Sequence, residues 1–194
     1  MMGPLVAEGG GAVKKGMGML SRVWPYARVL SAARRHRADL LRWLVRRPQL
    51  LGAVTVYETA LLASARVDAR LKALAELKAS AVINCEYCLD IGSALAQAAG
   101  VTEAQVRALP SFQTSEQFSE SEKLVLELAE AMTRVPATVE DGLRTRLLGR
   151  FSRVQLTELA AAIAWENHRG RLNQALGVRP SGFSDGAVCA IPER

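Results

Sequence analysis

Apolar residues along the chain recur with a helical period for most of its length, and nowhere do they alternate strictly as half-buried strands require. The first twenty residues, rich in Gly and Met, show no period, and residues 1–24 are expected to form a flexible basic tail. Pro25 can open a helix, and Leu30, Ala33, Leu40, Leu41, Leu44 and Val45 keep helical spacing as far as Arg47. Pro48 starts a new element. Residues 49–65 are apolar on most sides and are expected to form a buried helix. Asp68 is placed to cap a helix over 69–82, with Leu71, Leu74, Leu77 and Ala81 on one face. The next helix opens near Cys85, runs to Ala98 and stops at Gly100. Thr102-x-x-Gln105 and Ser119-x-x-Glu122 have capping-box spacing and open helices ending near Leu109 and Arg134, with a polar loop over 111–118. A further helix runs from Thr138 or Val139 to Phe151. Ser152 caps a long last one, 155–176, ended by Gly177. The sequence predicts an all-α protein of roughly seven or eight helices, with one domain over 25–178 and an irregular tail over 179–194.

Composition adds two constraints. Hydrophobic residues are 49% of the 194, which excludes wholesale disorder and suffices for one substantial core. The formal charge is +6, and the first fifty residues hold ten Lys/Arg against only Glu8 and Asp39. Without interleaved aromatics or a finger or helix-turn-helix signature, this arm reads as a solvated helix face and no nucleic-acid partner is expected. No apolar leader precedes a small-residue cleavage site. The most apolar stretch, 50–65, is too short for a bilayer and contains Glu58. A cytoplasmic protein without membrane insertion is expected.

In a reducing compartment a Cys pair points to redox or metal chemistry. Cys85-Glu86-Tyr87-Cys88 sits at a helix opening, where backbone N–H groups and the helix dipole lower a thiol pKa and a disulfide can close over one turn. A tetrahedral zinc would need two more ligands, and the chain offers only Cys189, His36 and His168, so neither a metal nor another cofactor is assigned. Cys189 reads as a free thiol on a loose tail, and His36, within Arg34-Arg35-His36-Arg37, as part of the basic face.

The stretch from Leu77 to Ser93, with Asn84-Cys85-Glu86-Tyr87-Cys88 at its centre, resembles the carboxymuconolactone decarboxylase and alkylhydroperoxidase D-like family. The likeness continues in Phe118-Ser119-Glu120-Ser121-Glu122-Lys123 and in Glu166-Asn167-His168-Arg169-Gly170-Arg171-Leu172-Asn173-Gln174. It spans roughly 48–190, and Gly182 to Cys189 looks like a subgroup feature. The resemblance implies an alkylhydroperoxidase D-like helical bundle that oligomerises through helix packing, as a trimer or hexamer ahead of a dimer. It also implies thiol-dependent peroxide reduction. Members with C-x-x-C commonly carry a His four residues after the second Cys and a Glu twelve before the first. Here those positions are Gly92 and Ala73.

Glu76, one helical turn beyond Ala73, is a candidate substitute base; its other reading is a surface carboxylate paired with Lys72. Asp90 points away from Cys88 on an ideal helix and reads as solvated or paired with a neighbouring helix, though as a partly buried carboxylate it is a second candidate proton acceptor. His168 is the third candidate, with a structural role at the packed interior or a subunit interface as its other reading. Catalytic expectations therefore rest on Cys85, Cys88, Glu76, Asp90 and His168. The expected activity is reduction of a peroxide or disulfide, with a dithiol or protein reductant resetting the pair. Which cysteine attacks is open. A lyase acting on a small lactone acid and a non-catalytic oligomeric binding protein are the alternatives.

Overall fold

A computed structural model describes residues 19–192. Among them the regular structure is nine α-helices and one short 3-10 turn, with no strand. Of the expected flexible tail over 1–24, residues 1–18 lie outside the described residues, and 19–24 are not a tail but part of the first helix (Met19–Ser31).

The middle helix α4 (Ala69–Ile83) organises the core. Its Asp68 cap accepts the Arg70 N–H, as the sequence predicts. Leu74, Leu77 and Ala81 on one side meet Leu89 and Ala96 of α5 (Glu86–Ala98), Val106 of α6 (Glu103–Ala108) and Leu126 of α7 (Glu120–Thr133). Ala75 and Ala79 on the other side meet Leu128 of α7, Leu147 of α8 (Asp141–Arg150) and Leu159 and Ile163 of α9 (Arg153–Ala175). Helix α4 is thus wetted on hardly any side, and even Lys78 is only 1% exposed, pairing with Glu130 at 3.7 Å and lying over the Phe112 ring. Capping boxes at Thr102/Gln105, Ser119/Glu122 and Ser152/Gln155 start α6, α7 and α9, each satisfying two otherwise orphaned backbone donors.

The N-terminal segment differs from expectation. A single helix from Pro25 to Arg47 is replaced by α1 (Met19–Ser31), with Pro25 inside it, and α2 (Asp39–Leu44). The break comes at His36, which has a positive φ of 52°, and the freed Arg34 and Arg35 N–H groups donate to Ser181 O. Tertiary pairing with the C-terminal tail thereby outweighs the helical period. The second departure is α3 (Pro48–Ala63). This apolar helix, expected to be buried, has no buried residue, and Leu50 and Val56 are 53% and 70% exposed. No helix among the described residues is long and apolar enough to cross a membrane.

Candidate functional site

The turn between α4 and α5 sets the Cys pair. Asn84 ends α4 in a left-handed conformation, φ 62°, and the Cys85 N–H donates to Ser80 O at 3.2 Å. Cys85 is the N-cap of α5, and its Sγ accepts the Cys88 N–H at 3.3 Å. Three residues apart across one helical turn, the two have their Cα atoms 5.2 Å apart and are joined as a disulfide. Both are buried, at 2% and 4% exposure. Tyr87 between them packs edge-on against Phe183 of the C-terminal tail, and Asn173 Nδ2 of α9 lies 3.5 Å from Cys88 Sγ.

Ser80, which accepts the Cys85 N–H and donates to Glu166, links this turn to a cluster in which three helices bring three carboxylates to one guanidinium. Arg169 of α9 contacts Glu166 at 2.6 Å, Glu58 of α3 at 2.9 Å and Glu76 of α4 at 3.4 Å. Trp165 Nε1–H donates to Glu58 at 2.8 Å, and Ser80 Oγ–H donates to Glu166 at 2.7 Å. Three acids against one base leave surplus negative charge in a partly buried site. Burial pushes the Glu76 carboxyl up to about 7; Arg169 pulls it down, and Glu166 and Glu58 push it up again. Those carboxylates outweigh burial at Arg169 and hold it firmly charged. Tyr26 of α1 closes the cluster, its hydroxyl pushed up by burial and by Glu58 and Glu76, and the Tyr87 hydroxyl is raised by burial and by Asp90. Glu76 is therefore not the surface partner of Lys72, which pairs instead with Glu158 at 2.7 Å.

Asp90 is not solvated and does not pair with a helix. It is 5% exposed and gathers the tail: the N–H groups of Ser181, Gly182, Phe183 and Ser184 and the Ser184 hydroxyl all donate to it, at 2.7–3.2 Å. Burial raises its carboxyl, but the donors from Ser184, Phe183 and Ser181 outweigh it and hold it below the usual carboxylate range. A charged anchor with its lone pairs taken is a poor base. The tight turn needs Gly182 at φ +75°, where a Cβ would sit 2.7 Å from Asp185 Oδ2. The tail is accordingly no loose end: Ala190 N–H donates to Ser93 Oγ, Gln97 Nε2 to Val188 O, and Cys189, though exposed, has its Sγ 3.7 Å from Ser93 Oγ.

His168 is exposed and stacks on Trp165 at 4.7 Å, with Tyr57 on the other face of the indole at 4.2 Å. It belongs to an aromatic stack at the outer edge of the acid cluster. At Gly92 an added Cβ would stand 3.4 Å from Leu77 Cδ1, and Ala73 packs against the same apolar core, so the positions of the missing His and Glu border hydrocarbon. The sequence reading missed Glu58, Arg169 and Asn173 as site residues. An acid inside the apolar helix α3 was the one signal for Glu58. Among the described residues no three His, Cys, Asp or Glu side chains are arranged to hold a metal ion.

The model of the carboxymuconolactone decarboxylase family matches residues 48–131, which includes α3, α4 and the Cys pair. The uncharacterized protein YnjA of Escherichia coli is 34% identical over 166 residues, 83% of this chain and 88% of that one. A cysteine-to-alanine variant of the debrominase Bmp8, solved with 2,3,4-tribromopyrrole, is 27% identical with a TM-score of 0.65, covering 72% of this chain and 75% of that one. The Agrobacterium tumefaciens protein ATU0492, a candidate AhpD antioxidant defence protein, superposes with a TM-score of 0.67 over 71% of this chain and 94% of that one; at 21% identity it speaks to the fold alone.

Proposed function

The chain belongs to the carboxymuconolactone decarboxylase family, and on that premise we propose that it is a thiol-dependent oxidoreductase in which Cys85 and Cys88 cycle between dithiol and disulfide. The observation that carries this reading is the buried disulfide at the start of α5; Ser80, which accepts the Cys85 N–H, links it to the cluster in which the Glu76 carboxyl is raised to about 7. In the forward half-reaction one thiolate attacks the distal oxygen of a hydroperoxide. The O–O bond breaks, the leaving oxygen takes a proton and departs as alcohol, and the sulfur becomes a sulfenic acid. The other thiol attacks that sulfur, water leaves and the disulfide forms. A cytoplasmic dithiol or protein reductant then restores both thiols by exchange. Glu76, its carboxyl raised to about 7, is the group with a suitable pKa to supply the proton and take it back. A disulfide substrate needs less of this help, because a thiolate leaves without immediate protonation.

A second substrate class is favoured by the similarity to a debrominase. Two thiols and an aryl bromide give the reduced arene, a disulfide and hydrogen bromide, using the same pair and a proton at carbon. The exposed apolar face of α3, with Leu50 and Val56 outward, supports assembly into a homo-oligomer, trimer or hexamer, that covers this face with a second copy.

The test counts free thiols of the reduced protein before and after one equivalent of cumene hydroperoxide, an aromatic disulfide or tribromopyrrole. Loss of two thiols, regained with a dithiol, is expected with at least one of them, and steady turnover should fall roughly 10–100-fold for Glu76→Gln with peroxide. Turnover that survives loss of both cysteines, or turnover of a lactone acid without thiol change, would overturn the proposal in favour of the lyase reading.

A further inference from the structure

Helix α9 approaches the end of α4, just before the Cys pair, more closely than a side chain would allow. A Cβ added at Gly170 would lie 2.9 Å from Ile83 Cδ1, so glycine lets α9 rest directly on the end of α4. One turn further on, Gln174 Nε2 donates to Ile83 O and Asn84 O, both at 2.9 Å, and ties α9 to the turn that precedes Cys85. Between these two anchors Asn173, 3% exposed, has its Nδ2 3.5 Å from Cys88 Sγ. The other sulfur has a separate donor, the Cys88 N–H on Cys85 Sγ. Each member of the pair therefore has its own N–H: a backbone group at a helix N-terminus for Cys85 and a side-chain amide from another helix for Cys88.

In the disulfide that amide contact is weak, because a neutral sulfur is a poor acceptor. Reduction changes it. A thiolate at the same position turns the same N–H into a charge-assisted donor in a dry site, where it is strongest. The elements packed on α5 contribute Tyr26 from α1, Glu76 from α4 and Glu166 with Arg169 from α9. Helix α5 itself carries Glu86 and Asp90, and the tail adds Asp185, paired with Arg35. Arg169 is already engaged by three carboxylates, so a neutral donor in contact with the sulfur lowers its pKa without drawing on that cluster.

We propose that Asn173 is a catalytic residue: its side-chain amide stabilises the Cys88 thiolate, and this contact, not the helix N-terminus that serves Cys85, places the reactive anion on Cys88. The proposal rests on the dithiol chemistry above, but its test reads ionisation and needs no turnover. Cys85→Ser with Cys189→Ser leaves Cys88 as the sole thiol, and its thiolate absorbance at 240 nm is followed against pH. Asn173→Ala should move that titration up by about one pH unit, so that roughly tenfold less thiolate is present near neutrality. Asn173→Asp, close in shape but anionic, should move it further, and Asn173→Ser, which keeps a donor, should restore part of it. In Cys88→Ser with Cys189→Ser, the same changes should leave the Cys85 titration in place. Circular dichroism establishes that each variant is folded, and if Asn173→Ala is not, the near-isosteric Asn173→Asp carries the test. A Cys88 titration that does not move up in Asn173→Asp, or a Cys85 titration that moves equally, would overturn the proposal. A shifted titration in a protein that reduces no peroxide, disulfide or aryl bromide would instead sink the proposed function and keep the role of Asn173.

Discussion

Two ionic clusters lie between the same helices, α4 and α9, and they are built to opposite ends. Near the start of α9, Glu158 is 5% exposed and accepts from Lys72 at 2.7 Å, the Ser64 hydroxyl at 2.5 Å and the Arg66 N–H at 2.8 Å. Burial raises its carboxyl, but Lys72, Ser64 and the Arg66 N–H outweigh burial and hold it below the usual range. Two turns further along α9, Glu166 joins Glu58 and Glu76 on a single Arg169, and Glu76 is driven up to about 7. One cluster has as many donors as its charge requires and contributes stability. The other carries surplus acid at some cost to stability and keeps a group titrating near neutrality, as functional sites do. Ser80 links the second to the turn before the Cys pair, accepting the Cys85 N–H and donating to Glu166.

The largest expected effect tests the balanced cluster. Glu158→Gln leaves Lys72 without its counter-charge and should cost roughly 3–5 kcal/mol in denaturant unfolding. Glu76→Gln at pH 8 should be neutral or stabilising, since it removes one of three like charges. Equal losses in the two variants would erase the distinction.

The pH dependence sharpens it next. The folded pKa of Glu76, about 7, lies above the ordinary 4.5, so the folded state is favoured while this carboxyl is protonated. Its contribution is full below pH 4.5 and is lost as pH rises through 7. The difference amounts to up to ~3 kcal/mol, and Glu76→Gln should abolish that slope. Glu158 has the opposite sign. Its depressed pKa gives stability that is present above 4.5 and lost as pH falls through the folded value. Thermal melts from pH 3 to 9 for wild type and both variants separate the two.

A smaller effect is expected at Asp90, a third carboxylate that is balanced in the manner of Glu158 but by backbone donors. Asp90→Asn weakens its hold on residues 181–184 and should cost about 1–3 kcal/mol. Loosening the tail should also uncover Tyr87, and iodoacetamide should alkylate the reduced pair several-fold faster. The smallest is His168→Ala, which removes one face of the stack on Trp165. A loss of about 0.5–1 kcal/mol with an unchanged thiolate titration is expected, and a large loss of thiol reactivity would bring His168 back into the site.

What was legible in the chain follows the range of the interactions involved. Asp68 capping α4, the boxes at Thr102, Ser119 and Ser152, and Cys85 as the opening of α5 all depend on contacts within three residues, and spacing alone specifies them. Contacts across many residues were not legible. Asp90 meets its donors 91–94 residues away, Glu58 meets Trp165 107 residues away, and Asn173 meets Cys88 85 residues away. The expected continuous helix over 25–47 failed for the same reason, since Ser181 competes for the Arg34 and Arg35 N–H groups.

By itself, then, the sequence determined that the chain is helical, where most helices begin, and that two cysteines stand one turn apart at a helix N-terminus. Local hydrogen bonds and the 3.6-residue period leave little freedom in those matters. Only the tertiary structure decided which acids carry a proton. A carboxyl group's pKa is set by how much water it loses and by which charges reach it through space, and Glu76, Asp90 and Glu158 are the same chemistry until packing gives each its neighbours.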